Sequence, residues 1–376
     1  MAYFPAVPSV IVHVVGARPN FMKAAPVIRA IADIGLDQRL IHTGQHYDPL
    51  LSDVFFHELG LPAPDLNLGV GSGSHARQTA ATMVELERAF LDLEPALVVV
   101  YGDVNSTLAA AVVAAKLTIP LAHVEAGLRS FDDTMPEEIN RRVTDLLSTL
   151  LFVTAPEGIR NLEAIGTPPE RIRHVGNPMI DTLVANLARL DPEPVRGRLG
   201  LGPHYAVSTM HRPSNVDDPE AARRTAAMLL ALSDEIEVVV PLHPRGHRAL
   251  ADAGLARSDR LRIVDPLGYL DFMSLVRGAQ LVVTDSGGLQ EETTFLGVPC
   301  LTIRPNTERP ITITHGTNRL VRPEEVVPAA RSALETPPAR SVGPPLWDGH
   351  ASERIAAEIS GWLDAGPAGR PSISIG

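Results

Sequence analysis

The 376-residue chain has a single cysteine, Cys300. That excludes an intrachain disulfide and a thiolate zinc cage. It has no excess of positive charge: the formal net charge is -11. This balance argues against a broad nucleic-acid or anionic-membrane surface. A small anionic ligand needs only a few local donors and stays open. Long apolar runs are missing too. Val10–Val15 is far too short for a signal-peptide core or a bilayer span, so a cytoplasmic protein without membrane attachment is expected. Neither GxxxxGK[ST], HExxH nor a GxSxG elbow occurs. Gly69–Gly73 is glycine-rich, but Leu66–Leu68 before it is too weak for a core strand. It reads as a loop, and no nicotinamide cofactor is invoked. His42 and His46 flank Gly44 at a strand end, which reads against a helical metal pair. No metal is expected, and no solenoid repeat is visible.

What is present is alternation. Short Val/Ile/Leu runs alternate with stretches of helical period, the pattern of parallel sheets covered on both faces. Strands are expected at Val10–Val15, Arg39–Thr43, Ala96–Tyr101, Pro120–Val124, Leu150–Val153 and Ile172–Val175. Helices are expected at Phe21–Ile34, Pro49–Leu59, Ser74–Leu91, Thr107–Lys116, Pro136–Leu147 and Glu157–Ile165. The rhythm breaks near Asp191-Pro192-Glu193-Pro194 and Gly202-Pro203, which carry loop signals. A second strand–helix series runs from Tyr205 to about Leu334. The fold class expected is α/β, with two Rossmann-like doubly wound domains facing a cleft. The boundaries are 1–178 and 179–351, then a last helix at 352–364 and a disordered tail at 365–376.

Six hydrophobic runs end in polar tips, where parallel α/β sheets bind ligands. They lead into Gly16-Ala17-Arg18-Pro19, Gly102-Asp103, Glu125-Ala126-Gly127, His211-Arg212, His243-Pro244 and Asp285-Ser286-Gly287-Gly288. The last opens a helix, whose free N–H groups suit a phosphate. Glu292 follows one turn on, where it could accept from ribose hydroxyls. An ordinary capped turn is the bland alternative. Arg18 and Lys23 place two cations at the first tip, suited to an anionic leaving group, or Arg18 is a structural ion-pair partner. Asp103, Glu125 and Glu137 follow successive strands. Each has a structural reading: Asp103 as a helix cap, Glu125 paired with Arg129, Glu137 closing a capping box begun by Thr134. Together, three acids near a phosphate site look like proton-transfer machinery.

With these residues in hand, the chain resembles the non-hydrolysing UDP-N-acetylglucosamine 2-epimerases. The motifs are Gly-Ala-Arg-Pro at 16–19, Thr43-Gly44-Gln45-His46, Gly102-Asp103, His123 to Arg129, Pro136 to Arg141, His211-Arg212, Asp285 to Glu292 and Glu308-Arg309-Pro310. They span residues 10 to about 355 in order. The resemblance implies a GT-B fold, a homodimer, and a reaction needing neither metal nor redox cofactor. UDP is eliminated to leave 2-acetamidoglucal, then adds back after protonation on the other face of C2. By motif position, Asp103, Glu125 and Glu137 move the C2 proton. Arg18, Lys23, His211 and Arg309 hold the diphosphate, with Ser286, Gly287 and Gly288 binding phosphate. Glu292 takes the ribose; Leu267 and Phe272 flank uracil. Gln45, His46 and Arg77 match an allosteric UDP-sugar site.

Three departures stand out. Asn20 replaces a frequent Glu, and Tyr47 and Asp48 differ from the allosteric members. They leave room for a modified UDP-hexose. Competing readings are a hydrolysing epimerase, a GT-B glycosyltransferase and a non-catalytic nucleotide-sugar sensor.

Overall fold

A computed structural model describes residues 10–44, 58–210, 218–242, 244–255, 258–336 and 343–366. The chain divides into two units: residues 1–184 with 345–376, and residues 185–344.

The first unit is built on seven strands: β1 (Ile11–Val15), β2 (Gln38–His42), β3 (Leu66–Asn67), β4 (Leu97–Tyr101), β5 (Leu121–Ala126), β6 (Leu150–Val153) and β7 (Ile172–His174). They lie in the order β3-β2-β1-β4-β5-β6-β7, every pair parallel. The central strands are fully buried apolar runs, such as Leu97 to Tyr101. A sheet covered on both faces by helices requires such runs. The order reverses between β1 and β4, so the ligand-binding crevice of a doubly wound sheet falls at their carboxyl ends. β3 is the weak Leu66–Asn67 segment, an exposed two-residue edge strand. The last helix, Ala351–Asp364, belongs to this unit. Asp181 accepts from the Ala351 and Ser352 N–H groups (3.2 and 2.6 Å), capping that helix. Trp347 Nε1 donates to the Thr154 carbonyl at 2.9 Å.

The second unit has six parallel strands: β8 (Tyr205–Thr209), β9 (Glu237–Pro241), β10 (Leu261–Val264), β11 (Leu281–Thr284), β12 (Cys300–Ile303) and β13 (Asn318–Val321). The order is β10-β9-β8-β11-β12-β13, with its own reversal between β8 and β11.

One expectation is overturned. The Asp191–Pro194 stretch, read as loop, starts a helix at Pro192–Leu199. Asp191 accepts from the Glu193 N–H, Pro192 occupies the first turn, and Gly200 ends the helix at φ 64°. Proline there loses no hydrogen bond, because the first-turn N–H groups have no helical partner. The punctuation marked helix ends, not a loop. The expected helix at 49–59 falls mostly outside the described residues, as do Gln45, His46, His211, Arg212, His243 and the tail from 367.

Candidate active site

In the first unit, Gly16 ends β1 where no side chain fits: a Cβ would lie 2.0 Å from Ser106 Oγ. Asn20 explains its own presence. Its Oδ1 accepts from the Gly16 and Ala17 N–H groups, and its Nδ2 donates to the Tyr101 carbonyl at 2.7 Å. It ties the tips of β1 and β4 together. Arg18 is half-buried at the first position of helix Arg18–Asp33.

Glu125 carries the most unusual backbone of the site. It sits at φ 77°, in the left-handed region that costs a non-glycine residue about 1–3 kcal/mol. The β5–β6 register shifts at the same place, between Val124 and Ala126. A bulge re-aims a side chain, and here it aims the carboxylate inward. Glu125 Oε2 lies 2.5 Å from Lys23 Nζ, both side chains buried. The expected Glu125–Arg129 pair is therefore corrected. Arg129 instead binds Asp145 at 2.6 Å.

Gly102 lets these groups meet. It has φ 61°, and a Cβ there would lie 3.0 Å from Lys23 Nζ and 3.7 Å from Glu125 Oε1. Asp103 follows. It is not a helix cap: Val104 holds that position. Its carboxylate pairs with Arg141, whose Nε lies 3.2 Å away, and its carbonyl accepts from Asn140 Nδ2. The structure thus gathers Asp103 and Glu125 around Gly102.

Glu137 is half-buried at the second position of helix Pro136–Leu147, and its side chain makes no hydrogen bond or ion pair among the described residues. The capping box expected for it is also corrected. The helix begins one residue later than that box required, with Met135 at the cap. Glu138, not Glu137, turns back to the Ser130 N–H (2.8 Å) and to Arg141 (2.6 Å). Glu138, Asn140, Arg141 and Asp145 had not been singled out as site residues from sequence. Their spacing carried a signal: Glu138, Arg141 and Asp145 fall on one helical stripe. Arg77 is exposed in the first turn of helix His75–Leu93.

In the second unit, Ser286 caps helix Gly287–Leu296 after β11, and its N–H bonds Thr284 Oγ1 at 2.9 Å. The space beside Gly287 is filled from within. A Cβ there would meet Arg309 Nη1 at 2.6 Å and Glu308 Oε1 at 2.7 Å. Arg309 is buried in an ion cluster with Glu308 and Glu291, extended by Arg304 on Glu308 (2.6 Å). Glu292 is buried beside the Tyr269 hydroxyl. Burial pushes its carboxyl up to about 8. Leu267 lines an open cavity of about 710 Å³ with Leu242, His247, Ile263, Val264 and Pro266. Phe272 is half-buried in the following helix. Among the described residues no group of three or more His, Cys, Asp or Glu is arranged to hold a metal, and no helix is long and apolar enough to cross a membrane.

The chain is similar to known proteins. A family model described as UDP-N-acetylglucosamine 2-epimerase covers residues 29–360. The UDP-N-acetylglucosamine 2-epimerase of Methanocaldococcus jannaschii is 39% identical over 354 residues, 91% of this chain and 96% of that protein. The UDP-2,3-diacetamido-2,3-dideoxy-D-glucuronate 2-epimerase of Pseudomonas aeruginosa is 39% identical over 363 residues, 93% and 99% of the two chains. The crystal structure of the M. jannaschii UDP-GlcNAc 2-epimerase in complex with UDP-GlcNAc and UDP aligns with a TM-score of 0.87 at 38% identity, covering 93% of this chain and 99% of that one.

Proposed function

This chain belongs to the UDP-N-acetylglucosamine 2-epimerase family, and we propose that it interconverts UDP-N-acetylglucosamine and UDP-N-acetylmannosamine. The observation that carries the reading is the Glu125 carboxylate, held in a strained bulge beside Gly102-Asp103. Strain of that kind persists where surroundings over-determine it, and clusters at reacting sites.

A carboxylate of the first unit takes the C2 proton. The C–H electron pair forms the C1=C2 bond as the C1–O bond breaks, and UDP leaves with the C1–O bonding pair. A second carboxylate then delivers a proton to the other face of C2, the C1=C2 pair forming the new C–H bond, and a UDP oxygen closes the C1–O bond with its own pair. The sugar's oxidation level is unchanged, so the route draws on no cofactor. Asp103, Glu125 and Glu137 are the acids assigned to these transfers. Arg18, Lys23, His211 and Arg309 supply positive charge for the departing diphosphate, the kind of donor that contributes most when charge develops. Ser286, Gly287 and Gly288 take phosphate, Glu292 the ribose, and Leu267 and Phe272 the uracil. Gln45, His46 and Arg77 remain the proposed allosteric set.

A second reading is favoured by one relative. The P. aeruginosa protein is named for a 2,3-diacetamido sugar, so C2 epimerisation of a UDP-hexose acylated at C3 is the alternative. A cytoplasmic homodimer completes the proposal. Helices His75–Leu93 and Pro136–Leu147 both pack on helix Asn105–Lys116 and expose Val84, Leu91, Ile139 and Leu146. Light scattering measures the assembly.

NMR of UDP-GlcNAc with enzyme in D₂O tests the reaction. Deuterium at C2 with appearance of the manno epimer is expected. Unchanged substrate, alongside turnover of the diacetamido sugar, selects the second reading; free ManNAc marks a hydrolase. Amide variants of Asp103, Glu125 and Glu137 are each expected to lose roughly 10²–10⁴ in turnover with UDP binding nearly intact. Parental turnover in all three refutes the assignment.

A further inference from the structure

The side chain of Asp145, on helix Pro136–Leu147, is fully buried. Three donors converge on its carboxylate. His123 Nδ1 lies 2.7 Å from Oδ1, Arg129 Nη1 lies 2.6 Å from Oδ2, and the Gly127 N–H reaches both oxygens at 3.3 and 3.2 Å. His123 precedes Glu125 and the other two follow it, so the carboxylate grips the bulge from both sides. The other ring nitrogen of His123 lies 2.8 Å from the Gly102 carbonyl. A single carboxylate therefore ties down the bulge that carries Glu125 and, through one imidazole, the strand tip that carries Asp103. Gly127 is fixed by the same packing. It has φ 80°, and a Cβ there would lie 2.5 Å from the Gly158 carbonyl oxygen.

We propose that Asp145 is a positioning residue, which holds Glu125 in its left-handed bulge and sets Asp103 against it through His123. The proposal rests on the reading that these two carboxylates move the C2 proton.

Stability alone gives a poor account of the arrangement. Helix Pro136–Leu147 buries Glu138, Asn140, Arg141, Thr144 and Asp145, yet leaves Ile139 50% and Leu146 65% exposed. Apolar residues usually hold such a face at least as well as buried ions do. A misplacement of about 1 Å, in contrast, can lower a rate by about 10²-fold. A polar face is what precise placement of two carboxylates requires.

The test uses the whole chain and the variants Asp145→Asn, Glu125→Gln and their combination. Asparagine keeps the shape but replaces one oxygen by an amide donor, which then faces His123 or Arg129 together with the Gly127 N–H. Its turnover is expected to fall about 10²-fold, with KM and UDP affinity within about threefold of the parent. Because Asp145 acts in part by placing Glu125, the double variant is expected to lose clearly less than the two single losses combined. Parental turnover in Asp145→Asn overturns the proposal. So does full additivity with Glu125→Gln, which marks an independent structural effect. Parental turnover in Glu125→Gln itself refutes the underlying carboxylate reading, and the proposal with it, without reference to any Asp145 variant. Should Asp145→Asn not fold, His123→Gln keeps a donor toward the Gly102 carbonyl and drops the one toward Asp145. A loss of about tenfold in kcat at unchanged KM is expected there; parental kcat overturns the proposal.

Discussion

Replacing Glu292 by glutamine is expected to stabilise the second unit, and increasingly so as pH rises. Burial pushes the Glu292 carboxyl from its ordinary 4.5 up to about 8; the Tyr269 hydroxyl opposes the rise and the Glu291 carboxylate adds to it. Between those two pH values the folded unit keeps a proton that the unfolded chain has released. The stabilising contribution is therefore complete below pH 4.5 and is lost as pH rises through 8. At about 1.4 kcal/mol per unit, the separation corresponds to roughly 5 kcal/mol. Glutamine has the shape of the neutral acid and cannot ionise. The stability difference between variant and parent should start near zero at pH 4.5 and reach roughly 4–5 kcal/mol at pH 9. For a domain of this size that is a shift of about 10 °C in Tm. Calorimetric scans from pH 4.5 to 9, following the transition of the second unit, measure it. A difference that does not vary with pH refutes the reasoning. The same variant should bind UDP up to about tenfold more weakly, the worth of one neutral hydrogen bond.

Further outcomes follow from the first unit. His13 is buried between the Tyr101 hydroxyl and the Gln38 side-chain oxygen, and burial pushes its imidazole from 6.5 down to about 4. The unit should lose up to about 3 kcal/mol as pH falls through that window; a urea titration that stays flat from pH 7 to 4 contradicts this. Gly102→Ala forces a Cβ against Lys23 at φ 61°, so a stability loss of about 1 kcal/mol and a larger fall in turnover are expected from melting and rate measurements. Lys23→Met leaves Glu125 buried without its cation, at a cost of about 3–5 kcal/mol. Adding Glu125→Gln should restore most of that stability, and a Lys23→Met protein melting at the parental temperature rules the ion pair out.

The fold was legible because its signal is periodic. Runs such as Leu97 to Tyr101 have one physical reading, a strand buried on both faces, and the polar tips mark the ends where parallel sheets bind ligands. The failures are local and share a cause. Pro192 and Pro194 looked like loop residues because proline breaks helices, yet the first helical turn tolerates it. Asp103, Glu125 and Glu137 each fitted a near-neighbour role in the sequence. Two of them bind partners far along the chain instead: Asp103 binds Arg141, and Glu125 binds Lys23. No local pattern encodes such pairings. The left-handed backbone of Glu125 was invisible too, since glutamate does not favour it. Glu125 is the position where local preference and the structure conflict most openly, and such conflicts are expected at functional sites.

The Lys23–Glu125 pair joins the two halves of the proposed chemistry. The resemblance assigns Lys23 to the departing diphosphate and Glu125 to the C2 proton, yet here each neutralises the other at 2.5 Å. Both roles hold if the partners exchange. Leaving a buried ion unpaired costs about 3–5 kcal/mol, so the ammonium leaves Glu125 only for another anion. A diphosphate is such an anion. On the proposed reading its arrival is expected to draw Lys23 from the carboxylate, so that proton abstraction waits for the leaving group; an infrared carboxylate band of Glu125 that UDP leaves unchanged, read by difference from Glu125→Gln, refutes the exchange. The backbone that carries the carboxylate is held meanwhile, because Asp145 grips the bulge before and after Glu125 and the close packing of Gly127 on Gly158 fixes its far end.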